Sequence, residues 1–286
     1  ATPSPLMAPP PSMAPPPSMA PPPAAAPPPA PRASAPDMAP VGALSPMGAL
    51  NNSSSDSVPP ALRDLANAGN AGAQFEMGSR HAEGRGAPRD LKAAAQWFEK
   101  AAAQGLAPAQ YRLGSLYEKG LGVPRDVTLA RSWYMRAAER GNARAMHNLA
   151  VLTAEGVNGK PDYTAAAQWF RRGAELGVRD SQFNLAILYA RGLGVQQSLV
   201  HSYAWFAAAA AQGDADAAKK RDEVATRLGN AELENAKGIA ASYKPRPLDK
   251  AANEVAAPTG GWEALQRAPD APAPNAARRP ARVSTI

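Results

Sequence analysis

Trp97, Trp133, Trp169 and Trp205 stand 36 residues apart, and nothing else in the chain restricts its fold as much. Gly105, Gly141, Gly177 and Gly213 keep the same spacing, as do Ala102, Ala138, Ala174 and Ala210. Gly84, Gly120, Gly156 and Gly192 form a fourth column, with no insertion anywhere. A constant period of this length is the mark of an array in which each unit buries its apolar face on the next.

Each unit reads as two helices, most clearly over residues 107–141. The first helix is expected at about 108–118, with Leu113, Leu116 and Tyr117 on one side. Gly114 lies among them, where a side chain would hold two helices apart. Lys119-Gly120-Leu121-Gly122-Val123-Pro124 follows, a turn that needs glycine's positive φ and proline's helix stop. Asp126 stands at the N-cap of the second helix. Ala130, Trp133, Tyr134, Ala137 and Ala138 then trace the i, i+3, i+4, i+7, i+8 stripe of a buried face, and Gly141 ends it.

The fold class expected is therefore all-α: an α-solenoid of four 36-residue helix-turn-helix repeats at about 71–105, 107–141, 143–177 and 179–213. A half-repeat at 59–69 caps its start, and a helix pair within 214–242 caps its end, which makes eleven helices. Flanking segments are expected to be disordered. Most of the 31 prolines fall before residue 61, and MAPPPS is written twice over residues 7–18. Proline excludes helix and sheet there, so residues 1–58 read as an extended spacer. Residues 243–286 read as a mostly disordered tail. Within it, 260–265 (Gly-Gly-Trp-Glu-Ala-Leu) is either a docking peptide that folds back on an array or a partly ordered stretch.

The pattern A-x-x-x-L-G-x-x-Y-x-x-G-x-G-V-x-x-D-x-x-x-A-x-x-W-Y-x-x-A-A-x-x-G, met at nearly every position by residues 109–141, resembles the Sel1-like repeat, a relative of the tetratricopeptide repeat. The resemblance implies right-handed superhelices of antiparallel helix pairs that act as adaptors and assembly scaffolds. The copies depart from it in places. Arg80-His81 stand where the second copy has Leu116-Tyr117, Ala150 replaces the helix glycine, Asn158 a loop glycine, Gln196 the loop proline and Ser198 the capping aspartate. A second resemblance rests on Lys219-Lys220-Arg221-Asp222-Glu223-Val224, Tyr243-Lys244-Pro245 and Gly260-Gly261-Trp262, which look like the end of alphaproteobacterial PodJ-type polar localisation factors. It implies a periplasmic array carried on a stalk by an upstream membrane anchor outside this chain. The chain begins at Ala1 rather than Met, and is read as a fragment or processed product.

Several function classes find no support in the residues. No cysteine is present, so disulfides and thiol chemistry are excluded. The three histidines, His81, His147 and His201, lack metal-ligand spacing, and no phosphate loop or nucleophile elbow occurs. No catalytic, cofactor or metal residue is therefore assigned. The net charge of +7 is spread among acidic residues, without the basic, aromatic-studded face of a nucleic-acid reader.

What remains is binding, and solenoids bind on their concave side. Phe75, Tyr111, His147 and Phe183 form a column of flat rings beside a polar column of Glu76, Arg112, Asn148 and Asn184. With Ser115, Lys119, Ile187 and Arg191 they make up the candidate partner-binding face. The column reads either as a stacking ladder for a peptide or glycan, or as packing between repeats. The tryptophan column reads as core. The expected role is a non-catalytic periplasmic scaffold for polar localisation or assembly, whose partner is a protein segment or peptidoglycan. The alternatives are a periplasmic inhibitor of a sensor kinase, as in ExoR-type repeat proteins, and a cell-wall enzyme accessory.

Overall fold

The structure, a computed structural model, describes residues 58–264 apart from 87, 157 and 158. The proline-rich spacer and the tail beyond 264 lie outside the described residues. Twelve helices follow one another, with no strand among the described residues. A short α1 (Pro60–Asn67) precedes four helix pairs: α2 (Ala71–Glu83) with α3 (Leu91–Ala103), α4 (Ala107–Lys119) with α5 (Val127–Glu139), α6 (Ala143–Glu155) with α7 (Tyr163–Glu175), and α8 (Arg179–Arg191) with α9 (Leu199–Ala210). Then come α10 (Ala215–Ala225), α11 (Asn230–Ser242) and a single turn, α12 (Lys250–Asn253). Eleven of these were expected from the sequence, and α12 was not.

Local chemistry sets the helix ends. Asp90, Asp126, Asp162 and Ser198 each cap the second helix of a repeat, and the Asp126 carboxylate accepts from the Leu129 amide at 2.8 Å. Ser198 takes over the aspartate's role by accepting from His201 at 3.2 Å. Gly84, Gly120, Gly156 and Gly192 end the first helices in the left-handed region.

Each helix pair closes on two rings. Phe75 meets Phe98 (centroids 5.4 Å apart), Tyr111 meets Tyr134 (5.9 Å), His147 meets Phe170 (5.6 Å) and Phe183 meets Phe206 (5.3 Å). The helix glycines lie under these rings: a Cβ on Gly78 would come within 2.7 Å of Phe98, and one on Gly114 within 2.9 Å of Tyr134. The residue that fills the core of each second helix is thus the one after the tryptophan. Phe98, Tyr134, Phe170 and Phe206 are all fully buried.

The tryptophans themselves are half-buried and work at the joints. Trp133 packs on the core of the first repeat, while Trp169 and Trp205 each touch two successive cores. A cation lies over three of them: Lys100 on Trp97 (4.1 Å), Arg136 on Trp133 (4.7 Å) and Arg172 on Trp169 (4.6 Å). Buried glutamines tie one repeat to the end of the preceding helix. Gln74, Gln110 and Gln182 donate to the carbonyls of Ala66, Ala102 and Ala174.

Candidate interaction face

The ring column is spent on the interior. Phe75 and Tyr111 are buried, and His147 is completely so, with its Nδ1 2.9 Å from the Ser181 hydroxyl of the next repeat. Phe183 is half-buried against Phe206 and belongs to the last core. Each ring meets the second-helix ring of its own repeat with the planes inclined by 34° to 73°, so of the two readings of the column the geometry favours packing, within each repeat rather than between repeats. The physical reason is volume. The alanine-rich stripes of the second helices leave space that only a large residue on the first helix fills.

The polar column divides. Glu76 takes Arg80 at 2.8 Å and Arg85 at 3.1 Å. Asn148 donates to the Tyr134 hydroxyl at 2.9 Å, which itself donates to Glu118 at 2.5 Å. Asn184 is buried, and Ile187 is half-buried in the last core. Arg112, Ser115 and Lys119 stay near solvent, where with Ser79 and Glu83 they line a cavity of about 120 Å³ between the first two repeats. Arg191 is exposed at the end of α8.

Burial raises the Tyr134 hydroxyl well above the usual tyrosine range, and the neighbouring Glu118 carboxylate raises it further. A folded-state value above the unfolded one stabilises the fold fully below the unfolded value, about 10, and the contribution is lost as pH rises through the folded value. Tyr134→Phe removes one partner each from Glu118 and Asn148. It is expected to cost about 1–2 kcal/mol in denaturant at neutral pH, and to lessen the alkaline loss of stability above about pH 10. Urea melts of both proteins at two pH values measure both effects.

A second set of contacts, which the columns did not announce, lies at the turns between repeats. After α11 the chain turns back and crosses the array towards its start. The Tyr243 hydroxyl donates to the Ala174 carbonyl (2.6 Å) and accepts from Gln182 (2.9 Å). The Arg246 amide donates to the Glu175 carbonyl at 2.8 Å. Pro245 sits on Gly177 and, seven residues on, Ala252 sits on Gly141. Asn253 reads the backbone of that same turn twice: its Oδ1 accepts from the Ala143 amide (2.9 Å) and its Nδ2 donates to the Gly141 carbonyl (3.1 Å). Asn142, whose Oδ1 caps α6, donates through Nδ2 to the Ala252 carbonyl at 2.7 Å.

The same segment ends on the first repeat. Val255 and Trp262 lie against Gly72, and Trp262 packs on the core of Val58, Leu62, Ala66, Ala73 and Met77. Glu263 pairs with Arg80. Residue 80 occupies the column that Leu116, Leu152 and Leu188 hold elsewhere, so a buried guanidinium replaces a core leucine and takes Glu76 and Glu263 as its counter-charges. Burial raises the Glu263 carboxyl, but Arg80 outweighs it and holds the group below the usual carboxylate range.

A cavity of about 270 Å³ remains between this strap and the array. Phe75, Tyr111 and Arg112 bound it on one side, and Leu248, Asn253 and Val255 on the other. The sequence reading expects a mostly disordered tail with a possible docking segment at 260–265; residues 243–264 lie along the turns, and Trp262 and Glu263 of that segment rest on the first repeat. The signals were there in part: Arg80 among leucines, and Gly141 and Gly177 in one column. Neither says which segment they await.

Stacked helix pairs with interlocking ring pairs and an extended segment laid across their turns define an α-solenoid of helix-pair repeats. A family model for the Sel1 repeat matches residues 71–106, 107–142, 143–178 and 179–214, and the chain belongs to the Sel1 repeat family. The solved structure of a Sel1 repeat protein from Oxalobacter formigenes is 30% identical, with a TM-score of 0.54 over 62% of this chain and 72% of that one. A protective antigen of uropathogenic Escherichia coli with an SLR fold is 27% identical over 64% of this chain and 47% of its own, with a TM-score of 0.43. Among curated proteins no match is found. Repeats of this family serve as protein-interaction scaffolds and are typically non-catalytic. Among the described residues no helix is long and apolar enough to cross a membrane.

Proposed function

We propose that the chain is a non-catalytic scaffold of the bacterial periplasm that holds an extended protein segment and so helps to position an assembly at the cell pole or envelope. The observation that carries the binding part is the strap. A run of chain lies along the turns between repeats, held by main-chain and amide hydrogen bonds at Gly141, Asn142, Ala143, Ala174 and Glu175. That is how a surface recognises an extended peptide: backbone groups give affinity and a few side chains give order. The burial of the ring column favours a protein segment over peptidoglycan, because a glycan chain needs open aromatic faces to stack upon. The periplasmic and polar parts rest on the PodJ-type resemblance of the tail and on the proline-rich spacer before the array.

The test is localisation in the producing cell of a fusion to a fluorescent protein that matures in the periplasm. The intact chain is expected to gather at a pole or another fixed envelope position, and a chain without 71–213 to spread evenly. Even distribution of the intact fusion, or unchanged foci after the deletion, removes the localisation role.

A further inference from the structure

The strap is held by separated anchors rather than along its length. Asn253 and Ala252 sit at one turn, and Trp262 with Glu263 on the first repeat. Between and around them Glu254, Ala256, Ala257 and Thr259 are exposed, and Leu248 is 47% exposed over a cavity it does not fill. On the array side two polar side chains meet the strap. Asn142 is held in place by its cap bond to the Ala145 amide, which leaves Nδ2 to donate to the segment at Ala252, and with the strap seated only 3% of the residue is exposed. The Arg80 side chain, 5% exposed beneath the seated strap, brings a charge to where the segment ends, at a position where three other repeats manage with leucine. Glu76 pairs with Arg80 through Nε and leaves Nη2 to the strap's Glu263, so this seat favours an acidic group at the end of whatever lies in it through a charge-assisted hydrogen bond.

The geometry points to an exchangeable peptide groove, of which residues 249–263 are the resident occupant, and which takes a segment of another protein with the strap's own chemistry. That chemistry is an asparagine, an aliphatic residue two positions on, and an aromatic–acidic pair nine and ten positions on. The asparagine amide pairs with the Gly141 carbonyl and the Ala143 amide, the donor–acceptor pattern of a peptide unit. The aromatic residue lies on the apolar cluster around α1 and the start of α2, and the carboxylate on Arg80. The tethered strap competes at an effective concentration on the order of 1 mM. A partner therefore gains the groove when it binds well below that range or when the strap is pulled away. This inference rests on the scaffold reading and adds its site, the chemistry of its ligand and its self-blocking.

The experiment uses the full chain throughout. A fluorescent peptide with the sequence of residues 243–264 is titrated into the wild-type chain and into an opened chain carrying Asn253→Ala, Trp262→Ala and Glu263→Lys. Saturable anisotropy is expected with the opened chain, at least tenfold tighter than with the wild type, and a scrambled peptide is expected not to bind. Arg80→Leu with Asn142→Ser, added to the opened chain, is expected to weaken the peptide by tenfold or more. Both changes suit the array. Leucine is the residue of the other three repeats at that column, and serine keeps an N-cap oxygen. Circular dichroism melts confirm that each variant is folded.

No binding to the opened chain, equal binding to both chains, or binding indifferent to Arg80 and Asn142 overturns the proposal. A concentration-dependent dimer of the wild-type chain, dissolved by the three tail substitutions, overturns it in favour of tail exchange between copies. None of these outcomes touches the localisation test above, so the groove and the scaffold role fail separately.

Discussion

Gly122→Ala and Gly194→Ala are expected to be among the most damaging single substitutions in the protein, at about 3 kcal/mol or more each. Two terms add. Both residues have positive φ, +73° and +66°, where an alanine costs about 1–2 kcal/mol. Both also press on backbone. A Cβ on Gly122 would lie closer than 3.0 Å to the carbonyl of Leu91 and the amide of Lys92, and one on Gly194 equally close to Tyr163 and Thr164. Backbone cannot swing aside as a flexible side chain can, so the loop of one repeat would lift off the second helix of the repeat before it, adding about 1–3 kcal/mol of strain.

Gly69→Ala and Gly213→Ala are the controls. Their φ values are +95° and +87°, but no atom lies within 4 Å of the added carbon, so only the conformational cost of about 1–2 kcal/mol remains. Denaturant midpoints of the four variants separate the terms. If all four fall equally, the loop contact is not what makes the inner glycines necessary.

The periodic part of this architecture is legible in the sequence because one unit is written four times. Capping residues, turn glycines and apolar stripes recur at fixed offsets, and each offset has one structural meaning. That is why helix order and repeat phase follow directly from the columns at 84, 97, 102 and 105. Legibility ends where a contact is made only once. Asn253 meets Gly141 and Ala143 across more than a hundred residues, and Glu263 meets Arg80 across 183. No period announces such pairs.

The ring column marks a subtler limit. Its 36-residue spacing is equally consistent with a ligand ladder and with a ring partner in the same repeat. Periodicity fixes which residues are equivalent, but not which way they face. Only the placement of Phe98, Tyr134, Phe170 and Phe206 decides that, and each of these stands one residue after a tryptophan of the periodic column. Arg80 is the reverse case. It looks like damage to a repeat when read against Leu116, and becomes intelligible once a carboxylate from the tail is found beside it.

The neighbouring pair Trp169 and Phe170 turns this difference of facing into a measurement. Adjacent helix residues point about 100° apart. Phe170 is directed at the His147 ring within its own repeat and is 1% exposed. Trp169 is directed along the array, half-buried between two cores and covered by Arg172. Phe170→Ala leaves a cavity enclosed by Ala150, Ala166, Ala174 and Leu185, small or rigidly held neighbours that cannot collapse into it. A loss of about 3–5 kcal/mol is expected.

Trp169→Ala opens a joint that water and the Arg172 stem can fill, and about 2 kcal/mol is expected, near the burial value of a partly covered side chain. Their effects on cooperativity should differ as well. Phe170→Ala destabilises one unit from within. Trp169→Ala weakens the coupling between second and third repeats, and in a linear array that coupling keeps the melt a single transition. A broadened or two-step urea transition in Trp169→Ala, beside a sharp but strongly shifted one in Phe170→Ala, is the expected pair of curves. A larger loss for the tryptophan than for the phenylalanine would return the tryptophan column to the centre of the core.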